Sequence, residues 1–349
     1  MIVYVSEQGA IVHKNRERLL IKKEGELLQA VHLMRLEQLV LLGNILVTAP
    51  ATQALLQRSI DTVYLSKNGR FRGRLTAFEG RNIELRLHQF RRSEQLDFLL
   101  DLGARFVRGK VQNCRLVLRR QQQRLQSPAV EEALTRMRAS LSRSIGVSTL
   151  DELRGVEGYA SALYFGALRE AVNNPGVPFR GRSRRPPRDP FNALLSFGYG
   201  LLLGTVQTAV QVVGLDPYLG SLHSPDNGKP SLVLDLMEEF RPLLVDSLML
   251  TSVNRGQIQA HDFRILQDPL ELPVDFQDPD EPRKGDYPVL LRPESLRKVI
   301  LMYENNLQRT LTYEGTGTNL TLKQICLEQA RRLARHYAGK ETYEAFTPR

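Results

Sequence analysis

His223, Asp235 and Glu238 lie in one stretch where a loop hands over to a helix. Ser224, Pro225, Asp226, Asn227 and Gly228 favour tight turns and tolerate positive φ, so the chain turns just after the histidine. A helix is expected to begin near Pro230 and Ser231. Asp235 and Glu238, three apart, then share one face, while Leu232, Leu236 and Phe240 suit the buried side. Two carboxylates and an imidazole could hold a divalent cation, Mg²⁺ or Mn²⁺, and the imidazole tilts the choice toward Mn²⁺. The same pattern also describes a solvated acidic helix beside a loop histidine. A metal site needs a further ligand from elsewhere in the chain.

Glu157 is the candidate for it. Thr149 and Glu152 read as a capping box opening a helix that continues through Phe165. Glu157 stands inside that helix between Gly155 and Gly158, where each glycine costs roughly 1 kcal/mol relative to alanine. Close approach of another helix or of a ligand backbone would offset that cost and would turn Glu157 into a crowded junction.

Around these acids the chain is basic, with a formal charge of +10 in 349 residues. Such an excess favours a polyanionic partner, either nucleic acid or an anionic membrane surface. Arg180, Arg182, Arg184, Arg185 and Arg188 crowd a proline-containing loop, and guanidinium pairs bidentately with phosphate, so a mobile arginine loop beside a metal suits a phosphodiester substrate. Seven basic residues and no acid lie between Gly103 and Val130, which reads either as a nucleic-acid footprint or as a solvated helix face. Arg70, Arg72 and Arg74 alternate along a strand, as a phosphate-tracking face or as edge charge that blunts aggregation. Cys114 and Cys326 are too few for a disulfide framework or a thiolate zinc site and read as buried thiols in a reducing cytosol. No glycine-rich nucleotide loop is seen, so no organic cofactor is implied.

The elements that must position these groups fall into two parts. Short apolar runs punctuated by turn signals fill the first 75 or so residues, arguing a small β-sandwich-like domain at residues 1–90, with β character ending near Arg91 to Glu94. Helical spacing then continues almost to the end, so residues 91–349 form a larger all-helical domain, and the class is α+β. Residues 190–215 carry no charged side chain and could span a bilayer by length, but their Asn, Ser, Thr and Gln content points to a helix buried in a soluble core. The N-terminus lacks the pattern of a secretory signal. Ile258 to Ile265 looks strand-like, 268–288 looks an extended loop, helices are expected near 293–311 and 320–338, and 340–349 look loosely held.

Four stretches carry a resemblance: Gly155-Val156-Glu157-Gly158 followed by Tyr164-Phe165; Arg188 through Tyr199; Gly214 to Tyr218 with Gly220 to His223; and Leu232 through Pro242. Together they resemble the CRISPR-associated endonuclease and integrase family Cas1. The resemblance implies an N-terminal β domain that dimerises, a helical catalytic domain, a cytoplasmic homodimer, and two such dimers bridged by the ferredoxin-like partner Cas2 in a heterohexamer. It implies metal-dependent insertion of spacer DNA into a CRISPR array, with double-stranded prespacer and repeat DNA as substrates and Mg²⁺ or Mn²⁺ as cofactor. The family's Glu, His and acid fall on Glu157, His223 and the acid of the site helix. Glu238 is expected to touch the metal, and Asp235 to act behind it or through water. A non-catalytic DNA-binding scaffold of the same fold is the alternative. His261-Asp262 also suggests a metal phosphohydrolase, though that chemistry needs further His and Asp ligands.

Overall fold

The computed structural model describes residues 1–348 apart from 68, 70, 78–81, 145, 184, 185, 225, 227 and 267–287. By compactness it divides into residues 1–79 with 262–299, and 80–261 with 300–349.

The first unit is built from strands β1 (Ile2–Val5), β2 (Ile11–Asn15), β3 (Arg18–Lys23), β4 (Glu26–His32), β5 (Gln38–Leu42) and β6 (Leu46–Val47), helix α1 (Ala49–Gln57), and strands β7 (Asp61–Leu65) and β8 (Phe71–Leu75). One sheet has the order β1-β5-β7-β8, parallel except for the last pair; the other runs β4-β3-β2-β6. Side chains alternate across a strand, so Val3 and Val5 of β1 and Leu19 and Ile21 of β3 reach one shared core with Val12, Leu39, Leu41 and Leu55. Strand β5, parallel on both sides, is buried at all five positions. Arg74 on β8 is not available for phosphate. Its guanidinium is held 2.6 Å from Asp61 on β7.

Strand character ends at Leu75, earlier than the pattern near Arg91 suggests, because α2 (Ile83–Ser93) already carries those basic residues on a helix whose start is capped by the Asn82 side chain. The second unit continues with α3 (Leu96–Leu125), α4 (Pro128–Arg143), α5 (Leu150–Ala171), α6 (Pro190–Val213), α7 (Ser231–Met237) and α8 (Ser247–Asn254). Helix α5 packs against α3 and α4, and α6 against α7. Thr149 caps α5 through Glu152 N, but the Glu152 carboxylate reaches Ser148 N, so only half of the expected box forms. The uncharged α6 is a core helix: Leu194, Leu195, Leu202, Val206 and Val210 are fully enclosed.

Ala260–Asp262 is a helical turn before strand β9 (Phe263–Ile265), which pairs with β10 (Val289–Leu291). The expected loop at 268–288 lies almost wholly outside the described residues. Helix α9 (Pro293–Leu307) ends earlier than its apolar spacing suggests, because a hairpin of β11 (Thr310–Tyr313) and β12 (Thr318–Thr321) follows before α10 (Leu322–Tyr337). The hairpin has a local signal that helical spacing overrides: Leu311 and Tyr313 alternate with threonines just before the Gly315 to Gly317 turn. Helix α10 packs against α6. The C-terminal residues are not loose: Tyr343 and Phe346 are buried, with ring contacts to Phe106 and Phe240.

Candidate functional site

The loop before α7 is built around Asp235. Its carboxylate, fully buried, accepts from the backbone N–H groups of Ser221 (2.6 Å), Leu222 (2.9 Å) and His223 (2.9 Å), and lies 2.6 Å from His223 Nδ1. A carboxylate already taking three N–H bonds acts as acceptor toward the ring as well, so Nδ1 carries a proton and, in the neutral ring, Nε2 keeps the lone pair. Gly220 makes this wrap possible. A Cβ there would stand 2.8 Å from both Asp235 Oδ2 and Ser231.

Glu238 follows the last turn of α7, where the chain leaves α-helical geometry and enters a π-helical turn at Arg241–Asp246 with Pro242 at its start. The break expected at this proline turns the segment without ending its course, since α8 follows directly. Glu238 Oε1 is 3.4 Å from Arg241 Nη2, and Oε2 is 2.6 Å from Lys110 Nζ. Oε2 is buried, and the Lys110 ammonium is its close charge partner. Burial alone would raise the Glu238 pKa, but Arg241, Lys110 and His223 outweigh it and hold the carboxyl at about 2. Glu238 is therefore ionised.

Glu157 reaches the same nitrogen from α5. Its Oε1 contacts Lys110 Nζ and accepts from Ser161 Oγ at 2.7 Å. One ammonium thus joins the two acids that the sequence picks out on separate helical segments. Burial acts to lower the Lys110 pKa, yet Glu238 and Glu157 together raise it. The Glu157 carboxylate turns toward α3 and Lys110, but no close helix contact accounts for the glycines beside it. A Cβ at Gly155 or Gly158 would meet nothing, so the helix face beside this acid is bare.

Lys110 escapes a reading that assigns it to a basic stripe, and Arg241 was not singled out at all. The signal was present in α3: Phe106, Val107, Val111 and Cys114 put Lys110 among buried apolar residues, a lone charge on the packed face. Among the described residues no three His, Cys, Asp or Glu side chains converge at ligand distance. Even so, the donor set fits a hard divalent cation: two carboxylates share one cationic partner, and the neighbouring imidazole, in its neutral form, would add a nitrogen lone pair.

The arginine loop is knit to the start of α6. Asn192 accepts from Arg182 Nη1 (2.8 Å) and Ser183 N, and donates to Gly181 O and Asp189. Arg180 and Arg188 are exposed, whereas Arg184 and Arg185 lie outside the described residues. Arg182 and Arg241 both lie over the Tyr199 ring, 5.4 and 5.1 Å from its centroid, so the loop connects to the acids through aromatic contact. The Tyr199 hydroxyl donates to buried Asp246 at 2.6 Å. Asp262, suggested for a phosphohydrolase, is held instead by Ser295 Oγ at 2.8 Å and Lys298 at 3.3 Å.

The fold, a small β-rich unit and a larger helical one, is shared with solved structures. A casposase bound to its integration product superposes with a TM-score of 0.82 at 23% identity, covering 99% of this chain and 93% of that one. A Cas1 protein from Thermotoga maritima gives 0.80 at 21% identity, covering 99% and 100%. At the level of sequence, the family model described as CRISPR associated protein Cas1 matches residues 3–275, and the chain belongs to the Cas1 family. A CRISPR-associated endonuclease Cas1 of Thermus thermophilus is 35% identical over 353 residues, spanning 100% of this chain and 97% of the relative. One from Rhodospirillum rubrum is 35% identical over 348 residues, spanning 97% and 95%.

Proposed function

We propose that this chain is a metal-dependent DNA endonuclease and integrase of CRISPR adaptation, in which Glu157, His223 and Glu238 hold Mg²⁺ or Mn²⁺. The observation that carries the reading is the pairing of Glu157 and Glu238 on one cationic nitrogen, beside an imidazole whose ring is oriented by Asp235. The bound ion would supply Lewis-acid polarisation of the scissile phosphate and would lower the pKa of the attacking 3′-hydroxyl. The chain supplies the rest. Asp235 acts through His223, fixing its tautomer so that Nε2 faces outward as a ligand, and not as a ligand itself. Ser161 holds Glu157, and Arg241 keeps Glu238 ionised. The bare face at Gly155 and Gly158 gives a nucleic-acid backbone room to approach Glu157. Arg180, Arg182, Arg184, Arg185 and Arg188 neutralise phosphates beside the cut, with Arg182 linked to Arg241 through Tyr199.

Support for the wider assignment comes from the relatives, which are CRISPR-associated endonucleases, and from solved structures of similar fold, a Cas6-RT-Cas1–Cas2 complex and a TtCas1–DNA complex. On that basis the protein works in the cytoplasm as a homodimer formed through its N-terminal β domain, assembles with Cas2 into a heterohexamer, and takes double-stranded prespacer and repeat DNA. A scaffold that binds DNA without turnover is disfavoured because the acids and the histidine are all retained and paired. A strand-transfer assay with Mn²⁺ tests the proposal: Glu157→Ala and His223→Ala should each abolish joined product while leaving duplex binding intact. Unchanged product from either variant would refute the metal role.

A further inference from the structure

Lys110 places its ammonium between the two acids. Its Nζ contacts Glu157 Oε1, lies 2.6 Å from Glu238 Oε2, and is nearly inaccessible to water. Each of those oxygens belongs to a carboxylate read above as a metal ligand, and a ligand oxygen cannot face an ammonium and a divalent ion at bonding distance along the same direction. The nitrogen is also at the end of a flexible four-carbon stem, so it can leave while α3 stays packed.

We infer that Lys110 is an intrinsic counter-cation of the active centre, exchanged for the divalent ion: the ammonium and the metal compete for the same two carboxylate oxygens. The inference rests on the assignment of Glu157 and Glu238 as metal ligands and adds a competitor to it. Three features of the chain agree with it. Lys110 is a lone charge on the buried face of α3, a position that needs a specific partner to be tolerated. Without a positive charge between them, Glu157 and Glu238 would repel each other in a poorly solvated space. Arg241 is not equivalent, because it reaches only Glu238, on the other oxygen and at 3.4 Å. The exchange sets the affinity for the ion below what two carboxylates and an imidazole would give alone.

Mn²⁺ binding to the purified full chain, followed by calorimetry and by loss of the free-ion electron paramagnetic resonance signal, tests this without reference to activity. Lys110→Met, which keeps the length of the stem and removes the charge, should bind Mn²⁺ about tenfold more tightly than the wild type. Its melting temperature without added metal should be lower, and its rise on adding Mn²⁺ larger. Affinity equal to or weaker than wild type in a folded Lys110→Met chain would overturn the exchange. Should that variant fail to fold, the wild type still decides: amine acetylation of Lys110, read by peptide mass spectrometry, should increase when Mn²⁺ is added, and unchanged reactivity would overturn the inference. Glu157→Gln and Glu238→Gln separate this from the underlying assignment. If both bind Mn²⁺ as the wild type does, the ligands are wrong; if both lose it while Lys110→Met is unchanged, only the exchange is wrong.

Discussion

His223 Nδ1 lies 2.6 Å from Asp235 Oδ1, and that same carboxylate also takes the backbone N–H groups of residues 221 to 223. The loop and the ring are therefore one unit, with the aspartate at its centre. Asp235→Asn replaces an all-acceptor group by one whose NH₂ faces donors, costing about 1–3 kcal/mol of stability. It also frees the ring to change tautomer, so strand transfer should fall by roughly 10–100-fold, with Mn²⁺ still bound. Glu238→Gln should remove Mn²⁺ binding. The assignment fails if calorimetry shows the reverse order.

Gly220 gives a steric check on the same unit. Its added Cβ would meet Asp235 Oδ2 and Ser231 at 2.8 Å, and the Ser231 contact includes backbone that cannot swing aside. Gly220→Ala should lower the unfolding free energy by about 1–3 kcal/mol in a denaturant titration, whereas Gly155→Ala, with nothing near its Cβ, should not destabilise the chain.

Asp246 makes stability depend on pH. Burial raises its pKa from 3.8 to about 6, offset only in part by Tyr199, Tyr164, Arg182 and Arg241. The folded state thus holds this proton more tightly than the unfolded chain, and the contribution is complete below about pH 4 and lost as pH rises through 6. The loss amounts to about 3 kcal/mol. Asp246→Asn should gain stability relative to wild type between pH 4 and 7 by up to that amount in urea melts. A difference that stays flat across this range would contradict the linkage.

The C-terminal residues hold the helix end that bears the site. Tyr343 Oη donates to Glu239 Oε2 at 2.8 Å, Gln329 donates to Oε1 at 2.9 Å, and Asn113 Nδ2 donates to the carbonyls of Glu239 and Phe346. Burial pushes the Glu239 carboxyl up to about 8 despite the bonds from Gln329 and Tyr343. Tyr343→Phe leaves Glu239 short of a donor and should cost about 1–3 kcal/mol by thermal or denaturant melting. Ending the chain at Lys340 should cost more, since it also uncovers Phe106 and Phe240. An unchanged melting temperature on truncation would show the tail to be dispensable.

Much of this site is legible in one dimension. Asp235 and Glu238 are three apart at the end of a helix whose apolar positions are unambiguous, and a turn-rich loop brings His223 back to Asp235. Glu157 stands out through its flanking glycines, though the helix contact invoked for them is absent and the surface there is open. Lys110 was hidden by its company. In a run of seven basic residues a charge count cannot tell the one that turns inward, and only the helical phase of Phe106, Val107, Val111 and Cys114 does. The hairpin before α10 is marked by the alternation of Leu311 and Tyr313 with threonines and by its glycine turn, whereas the bound tail depends on a tertiary contact, Tyr343 to Glu239, that no local pattern encodes. The arginine loop reads as mobile in the sequence, and the side chain that holds its Gly181 to Ser183 part, Asn192, belongs to the following helix.

Crystals of the wild-type chain grown with Mn²⁺ and measured at a wavelength where manganese scatters anomalously put the central claim to its most direct test. The account predicts a peak within about 2.3 Å of oxygens from both Glu157 and Glu238 and of His223 Nε2, with Asp235 still bonded to His223 Nδ1. A peak coordinated by Asp235 in place of Glu238, or one that leaves Glu157 and Glu238 closed on Lys110, would contradict it.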